Sequence, residues 1–137
     1  MAAARTTSPR RVLVLEMNRA LPPSTIRSPR EPSSSQLDTV SKALAKHGVQ
    51  VLRKRSQANQ AQAIVVLGGD GTILSAAEIA REYDIPLLGI NTGHVGFLAQ
   101  AEPAEMLDAI EALAEGDYTV EPRMTLAVSV RQPNGDT

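Results

Sequence analysis

The stretch AIVVLGGDGT, residues 63–72, decides the fold of this chain. Its first half is an apolar run with the length of a buried strand, and its second half is rich in glycine. An alanine-rich stretch with apolar residues at helical spacing follows, so residues 63–83 predict a strand, a tight loop and a helix. Because glycine has no Cβ, the pair Gly68 and Gly69 is expected to turn at positive φ and to let a ligand approach the main chain.

Asp70 stands between the glycines of this loop, at the entrance of the predicted helix. Three roles are open to its carboxylate: general base toward an attacking hydroxyl, ligand of Mg²⁺, or N-cap of the helix. The N–H groups of the loop and the positive end of the helix favour binding of a phosphate group. The alternative without chemistry is a tight turn closed by the Asp side chain. The loop has neither the Lys-Ser/Thr ending of a P-loop nor the Gly-x-Gly-x-x-Gly fingerprint of dinucleotide-binding folds. A carboxylate beside a phosphate-binding loop makes phosphoryl transfer the leading interpretation.

The composition fits one packed domain, because the chain has 137 residues of which 42% are hydrophobic. With no cysteine and two distant histidines, it offers neither a disulfide framework nor zinc-ligand spacing. One phenylalanine, two tyrosines and no tryptophan argue against a platform for stacking nucleic-acid bases. No apolar run approaches the ~20 residues of a membrane span. These features predict a soluble cytoplasmic protein that binds neither nucleic acid nor membrane.

The two halves of the chain differ strongly in charge. Residues 1–55 carry 11 Lys and Arg against 3 Asp and Glu, whereas residues 56–137 carry 3 against 12. The arginines of the first half lie among Pro and Ser, which is typical of solvated segments, and residues 1–10 are expected to form a disordered leader. An acidic half that binds phosphates would need a divalent cation to lower the repulsion.

Short apolar runs alternate with helical patterns along most of the chain. Strands are predicted over residues 12–15, 49–52, 63–67 and 86–90, and helices over residues 37–47, 73–83 and 103–115. This alternation predicts an α/β fold, a parallel Rossmann-like sheet with helices on both faces. The buried helix faces are expected to include Leu74, Tyr83 and Leu107, and Gly48 and Gly116 are expected to end helices.

Three segments are expected to depart from this pattern. Residues 18–35, with four prolines and five serines, predict a long loop, and residues 53–62 predict a polar loop. Alternating residues 125–130 predict an antiparallel strand, and the sequence Pro-Asn-Gly at 133–135 predicts a hairpin turn. We therefore expect a nucleotide-binding α/β domain over residues 11–120. Residues 121–137 would begin a β-rich second domain that is otherwise missing, so the chain is expected to be a fragment.

A second glycine loop makes the resemblance to a known family specific. The loop at 68–72 is followed by Gly-x-Asn-x-Gly-x-x-Gly-Phe-Leu at 89–98, and together they resemble the ATP-NAD kinase family. Residues 117–126 are also typical of the passage into the second domain of that family, and the resemblance covers roughly half the chain. Gly-Gly-Asp-Gly alone is shared with diacylglycerol, sphingosine and phosphofructo-kinases. A lipid kinase or phosphofructokinase is one alternative, and a non-catalytic nucleotide-binding fragment is another.

The resemblance implies transfer of the γ-phosphoryl of ATP, assisted by Mg²⁺, to the 2′-hydroxyl of the adenosine ribose of NAD, giving NADP and ADP. It implies that Asp70 accepts the proton and that Phe97 packs on the adenine. The residues expected at the nucleotides are Gly68, Gly69, Asp70, Gly71, Thr72, Ser75, Asn91, Gly93, His94 and Phe97. The alternatives are a helix cap for Thr72, an exposed or locally hydrogen-bonded ring for His94 and a core aromatic residue for Phe97. The resemblance assigns no residue as a protein ligand of a metal. Ser75 stands where many members carry a longer basic or polar side chain that helps to bind the dinucleotide.

The same resemblance implies a second domain outside these residues, which binds the rest of NAD and forms a homo-oligomer. We therefore expect little activity from this chain alone. Whether ATP or polyphosphate is the phosphoryl donor, and whether NADH is accepted, stays open at this point.

Overall fold

The computed structural model of the chain describes residues 7–16, 33–92, 99 and 103–133. The strands are β1 (Arg11–Glu16), β2 (Gln50–Leu52), β3 (Ala63–Gly68) and β4 (Leu87–Asn91). The α-helices are α1 (Ser33–Lys46), α2 (Asp70–Tyr83) and α3 (Met106–Glu115). Two short 3₁₀ helices, Arg55–Gln60 and Pro103–Glu105, precede β3 and α3. None of the described helices is long and apolar enough to cross a membrane.

The four strands form one parallel sheet in the order β2-β1-β3-β4. Successive side chains of a strand point to opposite faces, and in β1 and β3 both sets are apolar. One face of the sheet buries Val12, Val14 and Val65 against α1 and α3. The other face buries Leu13 and Ile64 against α2 and the first 3₁₀ helix. The predicted α/β fold with helices on both faces is therefore confirmed.

Two predicted helix ends are also confirmed. Gly48 follows α1 and Gly116 caps α3, and both have φ of 76°, where a side chain would be strained. Gly116 also lies against the start of the chain, since a Cβ there would be 3.0 Å from the Ser8 nitrogen. In the same region, Tyr118 Oη donates a hydrogen bond of 3.1 Å to the Thr7 carbonyl, and burial raises the pKa of Tyr118.

Part of the predicted helix faces is wrong. Leu74 and Tyr83 are 58% and 42% exposed, because α2 contacts the sheet through the three- and four-residue spacing of Ile73, Ala76 and Ala80. In α3, Leu107 is 48% exposed and the neighbouring Met106 is buried instead. Small alanine side chains let α2 lie close to the strands, and the larger Leu74 falls on the solvent side.

The two predicted loops are shorter than expected. The loop prediction over residues 18–35 is wrong at its end, because α1 begins at Ser33, directly after the last proline of the segment. Residues 17–32 lie outside the described part of the chain. The polar segment 53–62 contains the first 3₁₀ helix, since Ala58 is buried in the core and anchors it.

The antiparallel strand predicted over residues 125–130 is not formed, because a strand needs a hydrogen-bonding neighbour and no described strand lies beside this segment. Its apolar side chains are exposed, from 67% at Val130 to 84% at Leu126. The division into a leader, an α/β domain from residue 11 to 120 and a second domain from residue 121 stays a prediction. Of the predicted leader, residues 7–10 are described and have no regular secondary structure.

Candidate functional site

The glycine loop at residues 68–72 leaves the carboxyl end of β3, in the middle of the sheet. The chain runs from β1 outward to β2 and then crosses back to β3, so the strand order reverses between β1 and β3. Open α/β sheets bind ligands outside the carboxyl ends of their strands at such a point. The register pairs Leu67 with Glu16 and Gly68 with Asn91, so the ends of β1, β3 and β4 meet at the loop.

Thr72 makes the first glycine of the loop necessary. A Cβ at Gly68 would lie 2.8 Å from the Cβ and 2.9 Å from the Oγ1 of Thr72, a residue of the first turn of α2. Gly68 has φ of 159°, so the expected positive φ is confirmed there, whereas Gly69 has φ of −95° and the expectation is wrong at that position. The requirement for glycine at 68 comes from the close approach between the strand end and the helix, together with this positive φ.

The first turn of α2 determines the place of Asp70. Gly69 is the N-cap and Asp70 is the first helical residue, so the N-cap role considered for Asp70 and for Thr72 is wrong. A carboxylate in the first helical turn interacts favourably with the positive end of the helix dipole. The half-buried Asp70 is thereby held between the end of β3 and the start of α2.

The main chain of the loop is accessible to a ligand. Apart from the adjoining residues and the backbone of α2, no described atom lies within 4 Å of a Cβ placed at Gly69 or at Gly71. The first helical hydrogen bond runs from Ile73 N–H to the Gly69 carbonyl, at 3.0 Å. The N–H groups of residues 70–72 therefore lie outside the helical ladder, in the arrangement that binds phosphate at helix N-termini.

Ser75, in the second turn of α2, is half-buried and contacts a cation. Arg55 Nη2 donates a hydrogen bond of 3.1 Å to Ser75 Oγ. Arg55 was not among the site residues predicted from the sequence. The basic triplet Arg53, Lys54 and Arg55 directly after β2 is the sequence signal that could have indicated it. The contact places a guanidinium beside the helix that carries Asp70.

Glu16 ends β1 at the same edge of the sheet, and its charge is sensitive to its surroundings. Burial raises the pKa of its carboxyl group above the ordinary value of 4.5. The positive charge of Arg53 opposes this rise in pKa, and the negative charge of Asp38 adds to it. Glu16 is thus a half-buried carboxylate between the ends of β2 and β3.

Asn91, the last residue of β4, is 5% exposed and is the buried polar residue of the described core. Its pairing with Gly68 brings the second predicted loop to the first. Of the ten predicted site residues, the structure thus brings seven to one edge: residues 68–72, Ser75 and Asn91. Gly93, His94 and Phe97 lie outside the described residues. No three His, Cys, Asp or Glu side chains form a metal-binding group within the described ranges.

Comparison with protein families gives a match over most of the chain. The family model described as ATP-NAD kinase N-terminal domain matches residues 15–118. These residues include all four strands apart from the first part of β1, and both glycine loops.

Curated relatives agree with this match. The chain is 52% identical over 81 residues to an NAD kinase of Corynebacterium efficiens, covering 59% of this chain and 26% of the relative. It is 55% identical over 76 residues to an NAD kinase of Mycobacterium bovis, covering 55% of this chain and 24% of the relative. The chain thus spans about a quarter of the length of these curated relatives.

A solved structure shows the same fold. The crystal structure of an NAD kinase from Archaeoglobus fulgidus in complex with ATP superposes with a TM-score of 0.51 at 26% sequence identity. The match covers 75% of this chain and 36% of that chain.

Proposed function

The chain belongs to the ATP-NAD kinase family through residues 15–118, and from that premise we propose that the whole protein converts NAD to NADP. The γ-phosphoryl group of ATP would be transferred to the 2′-hydroxyl of the adenosine ribose of NAD, with ADP as the second product. The observation that carries this proposal is the accessible glycine loop at the carboxyl end of β3, where the strand order reverses.

Asp70 is the residue we propose as general base. A secondary hydroxyl must lose its proton as it attacks phosphorus, and a carboxylate at hydrogen-bond distance can accept that proton. The position of Asp70 at the start of α2 supports this role, because phosphate groups bound by the loop N–H groups would lie beside the carboxylate. Most of the remaining rate enhancement of phosphoryl transfer comes from positioning and charge neutralisation.

The other site residues keep the roles that the family resemblance implies, as proposals. Gly68, Gly69 and Gly71 would give the nucleotides access to the main chain, and Thr72 would add a hydroxyl donor. Asn91 supports this arrangement through its burial opposite Gly68. The main-chain turn of residues 91–96, with Gly93, would shape the wall of the pocket, His94 would help to hold the diphosphate, and Phe97 would pack on the adenine.

We propose that Mg²⁺ binds at this site together with the nucleotide and not at a separate site formed by protein side chains. The described residues offer no group of three metal-ligating side chains, but Mg²⁺ typically uses phosphate oxygens and water with one or two carboxylates. Asp70 is the carboxylate of this loop. When bound, the ion would neutralise charge on the phosphate oxygens in the transition state.

The remaining partners of the whole protein are proposals as well. A second domain would bind the rest of NAD and form the homo-oligomer, and the protein would act in the cytoplasm. ATP is the donor we favour over polyphosphate, which is supported by the ATP complex of the structural relative.

Phosphoryl transfer by the whole protein to NAD, diacylglycerol and fructose 6-phosphate, each with ATP, tests the proposal. We expect NADP and no other phosphorylated product. The family match favours this result over the lipid kinase and phosphofructokinase alternatives. Phosphorylation of diacylglycerol or of fructose 6-phosphate would support one of those alternatives instead. The 137-residue chain alone should form little NADP. Turnover by it at the rate of the whole protein would contradict the need for a second domain.

A further inference from the structure

We propose that Arg55 is a substrate-binding residue, whose guanidinium binds the diphosphate or triphosphate group of the nucleotide held at the glycine loop. The inference rests on the proposed function to the extent that it places a nucleotide at residues 68–72. Arg55 belongs neither to the two glycine motifs nor to the residues on which the family resemblance rests.

The hydrogen bond with Ser75 places the guanidinium beside the second turn of α2, the helix that begins at the phosphate loop. Arg55 Nη2 lies 3.1 Å from Ser75 Oγ, and Ser75 follows Asp70 by five residues of α2, a rise of roughly 7.5 Å. A guanidinium has five N–H donors, and this bond uses one of them. Arg55 itself is exposed, so its remaining donors can reach a ligand above the first turn of α2.

The first 3₁₀ helix determines the position of the Arg55 backbone. The Gln57 side-chain carbonyl accepts hydrogen bonds from the N–H groups of Arg53 and Lys54, at 3.2 and 3.1 Å. Ala58 is buried in the core that also contains Ile73 and Ala76 of α2. The start of this 3₁₀ helix and the start of α2 are thereby held on the same face of the sheet.

Residues 56–122, which contain both glycine loops, have few cations of their own. Between residues 56 and 122, Arg81 is the one Lys or Arg in the sequence. Arg81 lies at the opposite end of α2 and forms an ion pair of 2.9 Å with Glu78. The diphosphate or triphosphate group of a nucleotide carries several negative charges, and a cation from another segment would offset their repulsion with Asp70. The triplet directly after β2 supplies one.

Within that triplet, two arginines face different groups. The charge of Arg53 acts on the carboxyl of Glu16 at the end of β1. Arg55 has the hydroxyl of Ser75 as its described side-chain partner, and the described ion pairs are Arg81–Glu78 and Arg123–Glu121. A guanidinium held by a neutral hydroxyl keeps its full charge for an anionic ligand. Of the two arginines, Arg55 is therefore the one held against α2, the helix that begins at the loop.

Nuclear magnetic resonance titration of the ¹⁵N-labelled whole protein with NAD and, separately, with ATP tests this assignment. The variants are Arg55→Ala and Arg55→Lys, with Arg81→Ala as the matched control on the same helix as Ser75. The spectrum of each variant without nucleotide reports whether it is folded. In the parent chain, the Arg55 side-chain Nε–H signal should shift together with the amides of residues 69–72.

Arg55→Ala should raise the dissociation constant of at least one nucleotide about five- to tenfold, the effect of losing a charge-assisted hydrogen bond. Arg55→Lys should give a smaller increase, because the ammonium keeps the charge but loses the planar fork. Added salt should reduce the difference between Arg55→Ala and the parent. Arg81→Ala should bind like the parent. An effect on ATP alone would place Arg55 at the donor, and an effect on NAD alone would place it at the acceptor.

Equal binding of both nucleotides by Arg55→Ala and the parent would overturn the assignment. Absence of binding by the parent, even at millimolar NAD and ATP, would overturn the assignment and the nucleotide site together. The proposed function fails separately. If the whole protein forms no NADP while Arg55→Ala still weakens nucleotide binding, the role of Arg55 stands and the kinase proposal does not.

Discussion

Thr72 packs directly over the Cα of Gly68, and a Cβ at Gly68 would lie 2.8 Å from the Cβ of Thr72. This contact joins the last residue of β3 to the first turn of α2. It therefore sets the distance between the sheet and the helix that carries Asp70.

Gly68→Ala should destabilise the fold by about 1–3 kcal/mol, as an overpacked site does, because α2 must shift to accept the methyl group. Gly71→Ala is the matched control. A Cβ at Gly71 has no described atom within 4 Å, and alanine is favoured over glycine within a helix by about 0.5–1 kcal/mol. Urea unfolding measures both. Equal stability of the two variants would show that the contact with Thr72 is unimportant.

Asp70→Asn should lower the rate of NADP formation by the whole protein about 10²- to 10⁴-fold, the contribution of a positioned general base. The amide cannot accept the proton, whereas the shape of the loop is kept, so affinity for NAD should change little. Glu78→Gln on the exposed side of the same helix serves as control and should retain the parent rate. Coupled assays of NADP and calorimetric titration with NAD separate the two effects. No turnover in either the parent or Asp70→Asn, with equal NAD binding, would favour a non-catalytic nucleotide-binding protein.

Gly116→Ala and Gly48→Ala form a pair that isolates one contact. Both glycines have φ of 76°, so each alanine should cost about 1–2 kcal/mol for the left-handed conformation. A Cβ at Gly116 would also meet the Ser8 nitrogen at 3.0 Å, whereas one at Gly48 has no described atom within 4 Å. Gly116→Ala should therefore have the lower melting temperature. The same melting temperature for both variants would mean that residues 7–8 do not pack on the end of α3 in solution.

Glu16→Gln should stabilise the fold at neutral pH. Burial raises the pKa of Glu16 in the folded state above its ordinary value of 4.5, so the folded state holds this proton more tightly than the unfolded chain does. The stability associated with the protonated group is present below pH 4.5 and is lost as the pH rises through the folded pKa. The advantage of Glu16→Gln should accordingly disappear in acid. Unfolding at pH 7 and below pH 4.5 checks this, and a variant advantage that is independent of pH would contradict it.

The sheet could be predicted from the sequence because its strands are apolar on both faces, and β3 in particular has no polar residue before the glycine loop. Helix faces were less predictable. Leu74 fits an apolar stripe by spacing alone, but the close contact of Ala76 and Ala80 with the sheet rotates it outward. Small residues at helix interfaces carry little hydrophobic signal, although they decide how the helix lies.

The two glycine loops of the candidate site could be predicted from the sequence, because their glycine motifs are local. A side chain that reaches the site from another element could not be predicted in this way. Arg55 belongs to a segment that reads as a polar loop, and its relation to Ser75 depends on the return of the chain across β1. The segment 125–130 shows the opposite case. Its alternation is typical of a strand, but a strand forms only beside a hydrogen-bonding neighbour, which the sequence of the segment cannot supply.

The central position of β1 has a consequence for synthesis on the ribosome. β1 pairs with β2 and β3, both of which follow it in the chain, the latter by about 50 residues of separation. Parallel sheets built from such distant partners form slowly. The apolar strand therefore leaves the exit tunnel before either partner has emerged, and it stays exposed to chaperones and to other nascent chains until residue 68 has emerged. Assembly of the glycine loop into a binding site cannot precede that moment.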